Sequence, residues 1–351
     1  MFLFLEIQPI FLNLLDILVP RMSNEVDIRE NDILAEDKSL LEILLTDHSR
    51  PKKGRKPAHI IWATHNYESL GTAYADGVQM TVESITGENG NVIQPRVRKP
   101  KDEQLIRARE KGEVFTPSWI CNKQNNLVDN AWFGRQNVFN IETEKGWITN
   151  LEAIEFPTQD GKTWEDYVRD TRLEITCGEA PYLISRYDAI TGKAIPVKDR
   201  VGLLDRKLRV VTENTTNKEE WFDAAKVAYK HIYGYEWQGD NLLLARESAF
   251  YSFIDYYEEK FEDHPSKEML REIAEIISWN LWQMDGLKGV IPNSCHDEVE
   301  NAPVLFGGGC VKVTQCPGCK NKDFHTHNGI YCKIMDWEIN KPITFISLLK
   351  K

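Results

Sequence analysis

The strongest constraint on this chain is the order of its short apolar runs. Residues 171–181 (TRLEITCGEAP) read as an apolar strand ending in a turn of small residues. Residues 182–187 then open a helix, 188–215 mix turns with apolar positions, and 218–229 have helical composition. A second strand follows at 232–236 (IYGYE), then helices at 241–257 and 267–277, and a third strand over 278–284 that ends at Asp285. Strands separated by helices favour a parallel sheet with crossover helices. Upstream, the spacing of Ile33, Leu34, Leu40, Leu41, Ile43, Leu44 and Leu45 predicts a short amphipathic helix over 31–47. An aromatic segment (Ile60, Ile61, Trp62), a loop at 87–101 and a helix at 105–111 lead to GEVFTPSWI at Gly112. With 351 residues, 42% of them hydrophobic, the chain can build one large α/β domain with insertions or two domains.

The formal net charge of -11 excludes a surface that holds nucleic acid by bulk electrostatics. Two basic runs stand out, Pro51 to Pro57 and Arg96 through Lys101 to Arg107 and Arg109; they are either local phosphate contacts or solvated loop charge. Residues 1–20 are apolar, but Glu6 and Asp16 interrupt them, and neither a basic opening nor a cleavage site frames them. This argues against a membrane span. Met22 opens a more polar stretch, so 1–21 read as an upstream, non-native start, with a partner-docking amphipathic helix as the alternative.

Seven unevenly spread cysteines do not form a disulfide framework, which points to the cytoplasm. Six Cys and His residues crowd the segment 307–332, which reads as an inserted loop: Cys310, Cys316, Cys319, His325, His327 and Cys332. Cys316-Pro-Gly-Cys319 is a knuckle whose thiolates reach one metal ion, and Cys332 with His327 or His325 completes a tetrahedral Zn²⁺ site. A structural zinc would order a loop too small to bury a core; the alternative is a reduced, flexible loop. No H-x-E occurs within 307–332, which argues against a catalytic zinc water. His65, His231, His264 and His296 have no evident partners in the sequence and read as structural or surface residues.

A parallel-sheet enzyme takes an adenosyl cofactor at the carboxyl ends of its strands, where a tight turn admits backbone amides and a carboxylate accepts the ribose hydroxyls. Phe115-Thr116-Pro117, the run Glu174 to Ala180, and Gly234-Tyr235-Glu236 meet these demands in order. Together they resemble the N6-adenine-specific DNA methyltransferases of restriction-modification systems, of the modification-subunit and fused type II arrangements, over roughly residues 112–350. The resemblance implies that Phe115, Thr116 and Pro117 pack on the methionine part of S-adenosylmethionine, with Glu174, Cys177 and Gly178 at the glycine turn and Glu174 near the methionine amino group. Ala180 stands where the family has its second glycine. Glu236, followed by Asp240, Leu242 and Ala245-Arg246, matches the family's second strand and is set to accept both ribose hydroxyls. The stretch from Trp279 to Leu287 resembles its third, in which Asp285 meets the adenine amino group. The plain alternatives are a ligand-free strand-to-helix turn at 175–180, a solvated strand-end acid at Glu236 and a turn or helix-capping aspartate at Asp285.

The family also needs an N-P-P-Y-type tetrapeptide to hold the flipped adenine, and no two prolines are adjacent anywhere in this chain. The resemblance therefore implies an incomplete Rossmann-like class I methyltransferase sheet in 112–351, an N-terminal helical and loop region in 22–111, and the Cys/His insertion. It further implies a chain that stops short of the fourth strand and is inactive alone, with DNA adenine as target. A downstream polypeptide would carry the catalytic and target-recognition parts. The alternative is a zinc-containing DNA-binding or assembly subunit built on a degenerate methyltransferase domain. No nuclease cluster of the P-D-x-E-x-K type is present.

Overall fold

The computed structural model describes residues 26, 29–51, 54, 56–302 and 310–349. The leader at 1–21, Lys52, Lys53 and Arg55 of the first basic run, and the triple glycine at 307–309 lie outside them. The chain opens with helices α1 (Glu30–Glu36) and α2 (Lys38–Leu45), a single-turn α3 (Val82–Ile85), α4 (Lys101–Lys111) and α5 (Ser118–Phe133). A hairpin of β1 (Asn140–Thr143) and β2 (Gly146–Thr149) precedes α6 (Trp164–Arg169) and β3 (Arg172–Glu174). Then come α7 (Leu203–Asn214), α8 (Lys218–Lys230), β4 (Ile232–Glu236), α9 (Gly239–Phe261), α10 (Lys267–Asn280) and β5 (Leu281–Gln283). Two more hairpins close the chain: β6 (Glu298–Ala302) with β7 (Cys310–Thr314), and, after α11 (Pro317–Asn321), β8 (Lys333–Asp336) with β9 (Lys341–Thr344).

The architecture is mixed α/β. Strands β3, β4 and β5 form a parallel sheet in that order, with Glu174 opposite Gly234 and Glu236 opposite Gln283. Helices connect them, as the alternation of runs requires, and side chains divide between the faces with the period of two expected of strands. Ile232 and Leu281 enter the main core with Leu40, Trp62, Leu208, Trp221 and Phe253. Tyr235 and Trp282 point the other way into a smaller cluster with Met284, Ile291, Cys332 and Ile334. Among the described residues no helix is long and apolar enough to cross a membrane.

Several expected elements differ in extent. The helix at 31–47 is two, because Asp37 leaves the helical conformation and its carboxylate accepts the Ser39 N–H at 2.8 Å as a fresh N-cap. Residues 182–187 do not start a helix: Tyr187 bridges Ala194, and helix α7 begins only at Leu203. The reason is polar competition in the intervening loop. Asp188 accepts the N–H groups of Ser118, Ile190 and Thr191, and Ser185 takes those of Val201 and Gly202, so the backbone is satisfied without helix.

The N-terminal region is bound to the sheet by polar groups as well as by packing. Gln283, at the end of β5, imitates a neighbouring strand, accepting the Ile61 N–H at 2.9 Å and donating to the Ile61 carbonyl at 2.8 Å. Arg246 on α9 is buried and donates to the carbonyls of Leu44, Thr46, Ser278 and Leu281 at 2.5 to 3.0 Å, joining the ends of α2 and α10 to β5. Burial lowers its affinity for a proton to a value of about 10 and leaves it charged at neutral pH. Removing this guanidinium strands four carbonyls, so Arg246→Met should lower the unfolding free energy in urea by at least ~3 kcal/mol. A loss below ~1 kcal/mol would show that the clamp is not structural.

Candidate functional site

At the carboxyl end of β4 three close approaches shape the site. Gly234 is needed because Cys177 lies on it: a Cβ there would meet Leu281 Cδ2 at 2.9 Å and Cys177 Sγ at 3.2 Å. The Cys177 N–H donates to the Tyr235 carbonyl at 2.9 Å, and the Gly178 N–H donates to Glu236 Oε2, also at 2.9 Å. The turn is left-handed at alternate residues, with φ of 47° at Thr176, 57° at Gly178 and 59° at Ala180. A residue with a Cβ is strained by about 1 kcal/mol in that conformation. Ala180 thus occupies a position whose backbone suits glycine.

This turn and Glu236 belong to the wall of one cavity of about 820 Å³. Phe115, Thr116, Glu174, Cys177 and Gly178 share that wall, so six of the eight residues expected around the cofactor are brought together. The Phe115 ring lies beneath the turn, about 3.8 Å from where a Gly178 Cβ would be, and the Arg96 guanidinium sits 5.0 Å from its centroid.

Two expected residues fall outside the wall. Pro117 starts α5, its carbonyl accepting the N–H groups of Ile120 and Cys121. Asp285 closes a turn: its carboxylate accepts the Leu287 N–H at 2.9 Å and pairs with Lys288 at 3.4 Å, while its backbone bridges Val290. Asp285 is thus engaged in its own turn and does not line the cavity.

Sequence reasoning missed Trp237, His65, Asp76 and Asn293, which also line the cavity. An indole directly after the strand-end acid was a legible signal; its Nε1 donates to the Ala63 carbonyl at 3.0 Å. The other three come from segments with no motif, and Asn293 joins two of them by donating to Asp76 at 3.2 Å.

Both acids at the strand ends are buried. Glu174 accepts the Leu183 N–H at 3.1 Å and the Tyr182 N–H at 3.4 Å. Burial nevertheless pushes its carboxyl up to about 8, with the neighbouring Glu236 adding to the rise. Glu236 is also raised, first by burial, against the N–H groups of Gln238 and Gly178 that favour its charge.

Two members of the second basic run are internal, whereas Arg98, Lys101 and Arg109 are exposed. Lys99 and Arg107 are buried and meet Asp240 at 3.1 and 2.7 Å, where Tyr67 also donates at 2.7 Å; Arg107 further pairs with Glu113 at 2.7 Å. Despite its burial, those two cations hold Asp240 well below the usual carboxylate range. Lys99 and Arg107 are therefore committed to this network and are not phosphate contacts.

A second constellation lies beyond β5. Cys295 Sγ is 3.3 Å from Cys316 Sγ and 3.5 Å from Cys319 Sγ, and His327 Nδ1 lies 3.5, 3.6 and 3.7 Å from Cys295, Cys316 and Cys319. Four ligands around a tetrahedral Zn²⁺ stand about 3.8 Å apart between sulfurs and about 3.6 Å between sulfur and nitrogen, so this group can hold a metal ion. Burial works against ionisation of Cys316, but the N–H groups of Cys319 and Asn328 and the neighbouring Cys295 and His327 pull its thiol down to about 6. Gly318 is required inside the knuckle, since a Cβ there would meet the His327 ring at 2.6 Å.

The ligand set differs from the expected one at a single position. Cys332 is not part of the group; it is fully buried in the smaller core cluster, its thiol donating to the Gln283 carbonyl at 3.3 Å. Cys295 takes its place, because Ile291 N–H to Ile330 carbonyl (2.8 Å) and Ile330 N–H to Ser294 Oγ (3.0 Å) fold its segment against the knuckle. His325 lies outside the group, and the Cys310 side chain is outside the described residues.

No family model, curated protein or solved structure matches the chain.

The site yields two predictions. A carboxyl whose folded-state pKa is raised contributes stability that is present below its unfolded value and lost as pH rises through about 8. Glu174→Gln, which keeps the neutral form, should therefore match wild type in thermal unfolding at low pH and exceed it by several kcal/mol, on the order of 5, above pH 8; equal pH profiles would contradict the burial argument. In the second, Co²⁺ added to the metal-free protein should give intense tetrahedral and thiolate charge-transfer absorption. Cys295→Ser should weaken the bands, whereas Cys332→Ser should leave them unchanged.

Proposed function

We propose that this chain is the S-adenosylmethionine-binding part of a DNA adenine N6-methyltransferase, with a structural Zn²⁺ in the Cys295, Cys316, Cys319 and His327 group. One observation carries the reading: the small-residue turn and the strand-end acid meet, Gly178 N–H to Glu236, on the wall of one large cavity that Glu174, Phe115 and Thr116 share. The strand order β3-β4-β5 with helical crossovers suits one half of a Rossmann-like sheet.

The donor and acceptor chemistry fits the ligand. Glu236 accepts the two ribose hydroxyls, Glu174 accepts the methionine ammonium, Trp237 offers an aromatic face beside the ribose acid, and Phe115 supports the turn. When bound, the cofactor supplies an activated methyl group. The tetrapeptide that would orient a target adenine is absent from the sequence, so binding, not transfer, is assigned to these residues. DNA contact and the transfer step fall to a further polypeptide segment or partner. In support, β3 pairs only with β4 among the described residues, so its other edge carries no strand and another can add there.

Titration calorimetry of the metal-loaded protein with S-adenosylmethionine should give saturable binding at one site, weakened at least about a hundredfold in Glu236→Ala, as expected when a buried bidentate acceptor is lost. Absence of binding in a folded, metal-loaded sample would favour the second reading. The metal group supports that alternative, a zinc-containing DNA-binding or assembly subunit.

A further inference from the structure

The cavity wall is acidic. Asp76, Glu113, Glu174 and Glu236 belong to it, and none of its lining residues is a lysine or arginine. Two of these acids are compensated: Glu113 by Arg107 at 2.7 Å, and Asp76 by the Asn293 amide at 3.2 Å beside His65. The other two accept only backbone N–H groups, Glu174 from Tyr182 and Leu183, and Glu236 from Gly178 and Gln238.

The groups facing this pair add no positive charge. Around Glu174 stand the Cys121 thiol of α5, Cys177 and Tyr182 of the turn, and Glu236. Around Glu236 stand Cys177, Tyr235 and Asp240, and the cations near Asp240, Lys99 and Arg107, are already bound to it.

Resting on the adenosyl reading above, we propose that the cavity selects its ligand by charge, taking adenosyl compounds with a cationic centre at the 5′ side chain in preference to neutral thioethers of the same shape. A carboxylate taken out of water gains from a nearby opposite charge, and here the protein provides none to this pair. A ligand must therefore bring the charge itself or leave the acids protonated. S-adenosylmethionine carries a sulfonium and an ammonium against one carboxylate, whereas its demethylated thioether product has lost the sulfonium charge. The site then holds the methyl donor more tightly than the product, which favours exchange after each transfer.

The test uses calorimetry on the metal-loaded full chain with three ligands: S-adenosylmethionine, the analogue with an amine in place of the sulfonium, and the thioether product. One charge within several ångströms of a buried carboxylate is worth on the order of tenfold in affinity, so both cationic ligands should bind about tenfold tighter than the thioether. Glu174→Gln removes an ammonium contact from all three alike, yet it should narrow the ratio between sulfonium and thioether to about threefold or less by weakening the field. A thioether that binds wild type as tightly as the sulfonium, or a ratio unchanged in the variant, overturns the charge selection and leaves the adenosyl reading standing. Failure of all three to bind overturns both.

Discussion

The molecule turns on the contact between the turn after β3 and the carboxyl end of β4. Gly234 has no side chain, so Cys177 can rest on the strand; that brings the Cys177 N–H onto Tyr235 and the next N–H onto Glu236. Each step depends on the one before it. A side chain at 234 would lift the turn, break the last ladder bond and separate the amide from the carboxylate. The buried Glu174 at the end of β3 is fixed by the same turn, because Leu183 and Tyr182, which donate to it, follow directly.

Around this contact the N-terminal region acts as part of the cavity wall, held by polar groups that leave no freedom for other work. Gln283 pairs with Ile61, Trp237 donates to Ala63, and Asp240 gathers Lys99, Arg107 and Tyr67. A buried carboxylate facing two cations and a phenol is costly to disrupt, since removing one partner strands the others without water. The network also explains why a chain of formal net charge -11 carries a dense basic run at 96–109: part of that charge neutralises the base of α9 from within.

Much of this was legible in the sequence, for identifiable reasons. The strand at 232–236 and the helix from 218 were readable because apolar periodicity and β-branched or aromatic residues coincide there. The hairpin at 140–149 and helix α5 were not. Helix α5 buries Asn122, Asn125, Asn126 and Asp129, polar residues that hide its inner face, and Arg206 of α7 satisfies Asn122, Asn126 and Asp129 in the fold. Periodicity cannot reveal a face whose burial depends on a partner 77 to 84 residues away. For the site, local spacing brought out the turn, Glu236 and the knuckle. Asp285 sits in a turn outside the cavity wall, and a strand-end aspartate and a turn aspartate have the same sequence signature.

The thiol that spacing missed, Cys295, also links the two constellations. Cys295 lies 21 residues before Cys316, outside any knuckle interval, and only the pairing of Ile291 with Ile330 carries it to the other thiols. The same short segment contains Asn293, which faces the cavity and ties it to Asp76. A metal ion bound by Cys295, Cys316, Cys319 and His327 would therefore fix the backbone two residues from the cavity wall. The segment around Cys295 thus supplies both a member of the Cys/His group and, through Asn293, a residue of the cavity wall.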